Sequence, residues 1–473
     1  MPSQVSSLVT VLRKFAGVFT ARSYVNFVML FTGLLLCLRR HSIARAIQVA
    51  FAGQRIKNHA ALYRLLSAAR WSVEAFGRVV FNQLRPHLDD GPVIVTVDDT
   101  LMRHSGPQMW GIAMHYDATE STYGRKGRGP ISRLRCGLNW VIASVWVPLS
   151  WRPHTGIAVP VTLSLYRSPR HCDNDTYRTR PELAVELIER LARWCGDNTR
   201  IIVIGDAAYT CRTVLRALPP TVDLVGPLPS DAALWALPPQ QAERGRGRPR
   251  VRGDRLPSIA SMTADDDGWQ SVTVNIYSKK VRLEVKHFAA LWYGPAGRRP
   301  LRIVLTRDPN KRWAPAALMC TRVDASPTDV IEWFARRWSA EVMHRDVKQL
   351  LGAEHIQNGW YRRVYRHERR PDDPPGIRSD RKRGRKAAER TVPLVFYTYA
   401  IVVLWYLQHG DPAADVARRR LLAPWYRHKQ HPSFADMLTA ARLELLRGLI
   451  PDPMWTQVNK KCPHLLAAIV SSA

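Results

Sequence analysis

Residues 92–100, PVIVTVDDT, form a β-branched run that closes on two acids, Asp98 and Asp99. Residues 200–209, RIIVIGDAAY, repeat this pattern with Asp206. β-Branched runs of this length favour strands. Between the two runs lie two further strand candidates, NWVIASVWVPL and GIAVPVTLSLYR, and a helical stretch, RPELAVELIERLARWC. The order strand, strand, strand, helix, strand, helix predicts a mixed α/β fold.

The acids at these strand ends are candidates for a metal site. In an open α/β sheet, ligands gather at the carboxyl ends of the strands, so Asp98 and Asp206 can converge if their strands are neighbours. Glu341, on a later helix, can add a third carboxylate. Carboxylate oxygens suit Mg²⁺ or Mn²⁺, and two such ions about 4 Å apart can promote an in-line displacement at phosphorus. The alternative is that Asp98 with Asp99 forms a turn and that Asp206 caps the following helix.

The third carboxylate lies in FARRWSAEVMHRDVKQLLG, residues 334–352, which is predicted to continue a long helix with Ser326 as N-cap and Pro327 at its first position. Positions three and four residues apart share one helix face. That face holds Phe334, Arg337, Glu341, His344 and Lys348. A neighbouring apolar stripe, which can pack onto the sheet, holds Trp333, Ala340, Met343, Val347 and Leu350. A surface ion-pair ladder is the alternative, although one exposed pair contributes only about 0.5 kcal/mol.

The net charge of +31 over 473 residues predicts a polyanionic partner, and nucleic acid comes first. The 7 cysteines include no CxxC pair, which argues against a structural zinc site. Two apolar segments, 24–38 and 392–407, fall short of the roughly 20 residues that a membrane-spanning helix needs, so both are predicted to be buried helices. The amino terminus has no signal layout, so we expect a protein of the cytoplasm or nucleoid, without a membrane.

Two segments outside the predicted metal site are candidates for contact with DNA. The first 88 residues have helical periodicity, and two short helices around AGQRIK have the outline of a helix-turn-helix that presents Asn58 and Arg64. A plain helical bundle is the alternative. RGRPR, with Arg246 and Arg248, resembles a minor-groove AT-hook, and a basic linker is its alternative.

The expected organisation has six parts. They are a helical DNA-binding domain (1–88), the first part of the catalytic core (89–229), a β-rich insertion (230–325), a core helix with the catalytic Glu (326–360), a basic loop (361–390) and a helical carboxyl region (391–473).

Three motifs together resemble one protein family. FARRWSAEVMHRDVK resembles the Y-(2)-R-(3)-E-(6)-K signature of bacterial DDE transposases in the family named after insertion sequence four, with Phe334 in place of the Tyr. VTVDDT resembles the first-aspartate motif of that family, and IGDAAY resembles its second. The resemblance extends from about residue 90 to residue 352.

The resemblance implies a ribonuclease H-like core, strand cleavage and transfer at the inverted-repeat ends of an insertion sequence, two Mg²⁺ ions or Mn²⁺ in their place, and a synaptic homodimer on double-stranded DNA. It makes Asp98, Asp206 and Glu341 the catalytic metal ligands. It assigns Phe334, Arg337 and Lys348 to DNA. Asp98 is preferred over Asp99 because it lies two residues before Thr100, as in the family pattern. The alternative function is a catalytically inactive, transposase-derived DNA-binding protein.

Overall fold

One mixed sheet of ten strands passes through the protein. The computed structural model describes residues 6–38, 41–50, 59–104, 109–117, 134–169, 172, 176–239, 250–356, 358 and 381–449. The strands are β1 Val93–Arg103, β2 Ala113–Tyr116, β3 Leu134–Leu149, β4 Arg152–Tyr166, β5 Ile201–Gly205, β6 Val222–Pro227, β7 Gln270–Ile276, β8 Lys279–Leu291, β9 Pro300–Arg307 and β10 Ala316–Cys320.

The strand order is β2-β3-β1-β5-β6-β10-β9-β8-β7, and β4 also pairs with β3. The strands β1, β5 and β6 are mutually parallel neighbours, whereas β3, β4 and β7 to β10 pair antiparallel. The predicted mixed α/β class is therefore confirmed. Residues 230–325 supply β7 to β10, and these strands join the same sheet through the pairing of β10 with β6. The division into domains stays a prediction.

Helices flank the sheet and form the two ends of the chain. They are α1 Ser7–Arg13, α2 Ala21–Leu36, α3 Ile43–Ala50, α4 Ala60–Ser67, α5 Val73–Leu84, α6 Arg180–Cys195, α7 Arg212–Ala217, α8 Ile259–Ala264, α9 Tyr293–Ala296, α10 Pro327–Ala335, α11 Trp338–Leu350, α12 Arg381–His409, α13 Pro412–Leu422 and α14 Phe434–Leu449. The helix α6 has the predicted bounds, and a capping box between Thr179 and Glu182 fixes its start.

The sequence predicted that β1 ends at its two acids, and this prediction was wrong. The strand continues to Arg103, because the long strand β3 pairs with it from Val95 to Arg103. Asp98 therefore lies in the middle of β1, opposite Ile142 of β3. The turn that was the alternative explanation for the two acids is absent at this point, since both belong to the strand.

The predicted long helix is in fact two helices, α10 and α11, so the predicted helix face from 334 to 348 is interrupted between Phe334 and Arg337. At the junction, the N–H groups of Arg336 and Arg337 donate to the carbonyls three residues earlier, each over 3.0 Å, in place of the α-helical bonds. The predicted N-cap is confirmed, because the Ser326 hydroxyl accepts from the Asp329 N–H over 3.1 Å. The predicted apolar stripe is also confirmed: four of its members are buried and Leu350 packs against the core.

Both apolar segments are buried helices, as predicted. They lie in α2 and in α12, and α12 begins at Arg381, inside the segment predicted as a basic loop. Within the described residues, one stretch, Gly384–His409, is long and apolar enough to cross a membrane. The protein buries 89% of its apolar window, as happens to the central helix of many water-soluble folds. The absence of a membrane stays a prediction.

Candidate active site

Asp98 and Asp206 lie side by side because their strands are parallel neighbours. Val97 of β1 is in register with Gly205, the last residue of β5, and each acid follows its member of this pair. Asp98 is only 7% exposed. Burial and, to a smaller extent, the nearby Glu341 and Asp206 carboxylates raise its pKa to about 8, against the opposing effect of Arg337. The sequence analysis predicted that the two acids converge if their strands are neighbours, and the strands are neighbours.

Glu341 reaches this pair from the first turn of α11, through Arg337. The Arg337 guanidinium donates to Glu341 Oε1 over 3.0 Å, and the same nitrogen lies 3.6 Å from Asp98 Oδ2. The pair of Arg337 with Glu341 is therefore present, as the ion-pair alternative expected. This ion pair is half-buried, and its guanidinium also lies close to the strand residue Asp98. The ion pairs of a surface ladder would instead be exposed to solvent.

His344, one turn after Glu341, completes the cluster. Ligand atoms of Asp98, Glu341 and His344 all lie within 4.8 Å of one another, and this is the group of potential metal ligands found among the described residues. The ring is 5% exposed, and its Nε2 has no hydrogen-bond partner in the described part of the chain. Burial and, to a smaller extent, the Lys348 and Arg337 charges lower its pKa to about 3, so the ring is neutral.

Asp99 points to the opposite face of β1 and has a different environment. Its Oδ2 accepts from the Asn139 amide over 2.8 Å and from Arg180 over 3.1 Å, and its Oδ1 accepts from the Tyr209 hydroxyl over 3.0 Å. These three partners come from β3, from the start of α6 and from the turn after β5. Such a fully bonded carboxylate has a structural role, and it leaves Asp98 as the acid that faces Glu341.

Asp206 does not cap the following helix, because α7 starts six residues later with Cys211 as its N-cap residue. It instead holds the turn after β5: its Oδ1 accepts from the Ala208 N–H over 2.8 Å. Burial raises the pKa of Asp206, and the turn's N–H group acts against this.

The other predicted DNA-binding residues are spread over the protein. Lys348, in the last turn of α11, lies 3.8 Å from Glu354, and burial lowers its pKa. Phe334 lies across the helix junction and packs against the core cluster that contains Ile94 and Trp146. Arg64 is exposed on α4. Asn58, Arg246 and Arg248 lie outside the described residues.

No local pattern in the sequence indicates the residues that hold Asp99. Asn139 and Arg180 lie about 40 and 80 positions further along the chain, and only the sheet pairing and the packing of α6 bring them to Asp99. Tyr209 carried a weak signal, because it stands three residues after Asp206 in IGDAAY. A residue at that offset closes the turn, and the Tyr209 N–H does donate to the Asp206 carbonyl over 3.1 Å.

Comparison with known proteins identifies the family of the chain. Residues 14–287 match the family described as DDE superfamily endonuclease. The matched segment contains Asp98 and Asp206 and ends before Glu341. No curated protein matches the chain. Since the match spans 274 of 473 residues (287 − 14 + 1), more than half of the chain, the protein belongs to the DDE superfamily of endonucleases.

Proposed function

We propose that the protein is a DNA transposase of the family named after insertion sequence four, which cleaves and transfers strands at the inverted-repeat ends of an insertion sequence. Endonucleases of the DDE superfamily act on DNA and typically use divalent metal ions. The observation that carries the proposal is that Asp98 lies beside Asp206 on neighbouring parallel strands and is linked by Arg337 to Glu341 on a separate helix. The mixed sheet that holds them supports a ribonuclease H-like core.

The residues present fit a divalent cation. The Glu341 and Asp206 carboxylates both raise the pKa of the buried Asp98, and a bound cation would offset this crowding of acids. We infer that Asp98, Asp206 and Glu341 would hold Mg²⁺, or Mn²⁺ in its place. Bound there, the metal supplies Lewis acidity and a nucleophile at neutral pH for displacement at a phosphodiester.

The chain's own groups have distinct tasks in this proposal. Asp98 must give up its proton before it can bind a cation, and burial makes this harder while Arg337 makes it easier. Arg337 neutralises Asp98 and Glu341 when no other cation is bound. Once a cation is bound, the guanidinium is free to bind a phosphate oxygen of the DNA. Lys348, two turns along α11, would add a second positive charge to the path of the DNA backbone.

The remaining parts of the proposal come from the resemblance and from charge. The net charge of +31 supports double-stranded DNA as the partner. The synaptic homodimer, the location in the cytoplasm or nucleoid and the two-ion count are proposed by analogy with the resembling family.

The test is cleavage of a duplex that carries the end of the element, in the presence of Mg²⁺. Wild type should cleave it, and Asp206→Asn and Glu341→Gln should bind the duplex with wild-type affinity but cleave it at least about 10³-fold more slowly, as expected when metal-based stabilisation of the transition state is lost. Equal cleavage by all three proteins would refute the catalytic assignment. Binding without cleavage by any of them would favour the inactive DNA-binding protein.

A further inference from the structure

The part of the acid cluster that the family resemblance leaves without a role is His344. Its ring lies in the same group of ligand atoms as Asp98 and Glu341, all within 4.8 Å of one another, and Asp206 is not a member of that group. We propose that His344 is a direct metal ligand, so that the ion between Asp98 and Glu341 has one nitrogen ligand beside its oxygens. This inference rests on the metal-dependent function proposed above.

Other buried histidines, such as His104, also have unpartnered nitrogens, but among the described residues His344 is the one whose ring lies in a group of ligand atoms with two carboxylates. Buried imidazoles normally use both nitrogens in hydrogen bonds, because an unpaired buried polar atom destabilises the fold. The Nε2 of His344 has no such partner among the described residues, although the ring is almost fully buried. The aromatic contact with Phe396, edge-on at 6.3 Å, fixes the ring plane without satisfying either nitrogen.

The charges around the ring keep it in the form that binds metals. Arg337 and Lys348 are the cations that disfavour a protonated imidazole, and Asp98 and Glu341 are the carboxylates at ligand distance. A neutral imidazole ligates a cation through a ring lone pair. The position is also rigid, because Met343 and Val347, on either side of it in sequence, are both buried.

The proposed ligand changes the metal preference of the site. Carboxylates alone suit Mg²⁺, whereas imidazole suits transition metals. The ion bound by Asp98, Glu341 and His344 should therefore favour Mn²⁺ over Mg²⁺ more strongly than an ion bound through Asp206, whose contribution is oxygen alone. Loss of the imidazole should weaken Mn²⁺ binding more than Mg²⁺ binding.

The probe is Mn²⁺ alone, added below one equivalent to the full chain without a histidine tag and without DNA. Pulsed electron paramagnetic resonance detects a nitrogen bonded to Mn²⁺ as ¹⁴N modulation, and ¹⁵N-histidine labelling of the wild type should convert it to the ¹⁵N pattern without any substitution. His344→Phe should lose the modulation and bind Mn²⁺ about tenfold more weakly, with less than about threefold change for Mg²⁺. The matched control is His104→Phe, since His104 is equally buried, at 6% exposed, with both ring nitrogens unpartnered among the described residues. His104 follows Asp98 by six residues and comes directly after the end of β1, which places it about 20 Å from the proposed metal ligand.

The outcomes separate the two proposals. Wild-type Mn²⁺ binding that Asp98→Asn abolishes, but without nitrogen modulation, would overturn the role of His344 and leave the acid site in place. Equal Mn²⁺ binding by wild type and Asp98→Asn would overturn the metal site itself, and with it the role of His344. Modulation that His344→Phe retains would overturn the assignment of the nitrogen to this residue. If His344→Phe does not fold, His344→Gln takes its place, and modulation that His344→Gln retains would likewise overturn the assignment to this residue.

Discussion

Asp98 and Asp99 are neighbours in β1, yet their carboxylates face different sides of the sheet and meet different groups. Asp99 accepts hydrogen bonds from Asn139, Arg180 and Tyr209, whereas Asp98 lies 3.6 Å from Arg337 on the side of Glu341. Alternation along a strand is the cause, because successive side chains point to opposite faces. One acid of the doublet therefore contributes to folding, and the other is free for a ligand.

Substitution of the two acids should separate these roles. Asp98→Asn should abolish cleavage and leave the free energy of unfolding unchanged or higher, because it removes a buried carboxylate. Asp99→Ala should lower that free energy by about 1–3 kcal/mol, because it leaves buried donors unpaired. Denaturant unfolding and the cleavage assay measure both effects. The opposite pattern, with Asp99→Ala stable but inactive, would make Asp99 the first metal ligand.

Arg337→Gln tests whether the guanidinium acts on the DNA or only on the protein. We expect cleavage to fall on the order of 10²-fold, as when a preorganised charge near the reacting phosphate is lost. At a pH where Asp98 is ionised in both proteins, Mg²⁺ binding without DNA, measured by titration calorimetry, should be retained or become tighter, since a positive charge has left the carboxylates. Parallel loss of cleavage and of Mg²⁺ binding would indicate that Arg337 only holds Glu341 in place.

The sequence predicted the parts of the site that depend on local pattern. Two β-branched runs that each reach an acid were enough to predict two strands, and the spacing of Arg337, Glu341 and Lys348 was enough to place them along α11. That the two strands are neighbours was only a condition of the prediction, and the sheet pairing meets it. Both signals depend on backbone periodicity, which a single sequence displays. The likeness of Phe334 to the family's Tyr, by contrast, did not reveal that a helix junction separates it from Arg337.

What the sequence could not predict depends on contacts between distant segments. The end of β1 is set by its pairing with β3, whose residues follow more than 30 positions later. The start of α12 at Arg381 was not predicted, because the run of basic residues around it is typical of a solvent-exposed loop. Arg390 in that run is buried, and it donates to the carbonyls of Ala69 and Trp71 over 2.9 and 2.6 Å.

Arg390 and Arg64 test whether individual arginines stabilise the fold or bind DNA. Arg390→Met should lower the free energy of unfolding by about 3 kcal/mol, because it removes charged hydrogen bonds to buried carbonyls. Arg64→Ala, on exposed α4, should change stability by less than about 0.5 kcal/mol and should reduce the salt dependence of DNA binding by about one phosphate contact. Unfolding curves and DNA titrations at several salt concentrations measure these effects. An unchanged salt slope for Arg64→Ala would exclude it from the DNA interface.

The raised pKa of Asp98 makes stability and metal binding depend on pH in opposite directions. The folded-state pKa is about 8, against about 3.9 in an unfolded chain, so the folded protein retains a proton that the unfolded chain has lost. The contribution of Asp98 to stability is therefore complete below about pH 4 and is lost as the pH rises through 8. In metal-free protein, the free energy of unfolding of Asp98→Asn should increase relative to that of wild type by up to about 1.4 kcal/mol for each pH unit in this window.

A cation must displace that proton, so Mg²⁺ affinity should rise about tenfold per pH unit from pH 6 to pH 8 and then level off. Calorimetry at fixed ionic strength measures the affinity, and the proton released on binding can be counted from its dependence on buffer ionisation enthalpy. Arg337→Gln should move the levelling-off to higher pH, because Arg337 lowers the pKa of Asp98. A flat affinity between pH 6 and pH 9 would mean that Asp98 is already ionised in the folded protein, and Arg337 would then compensate its burial fully.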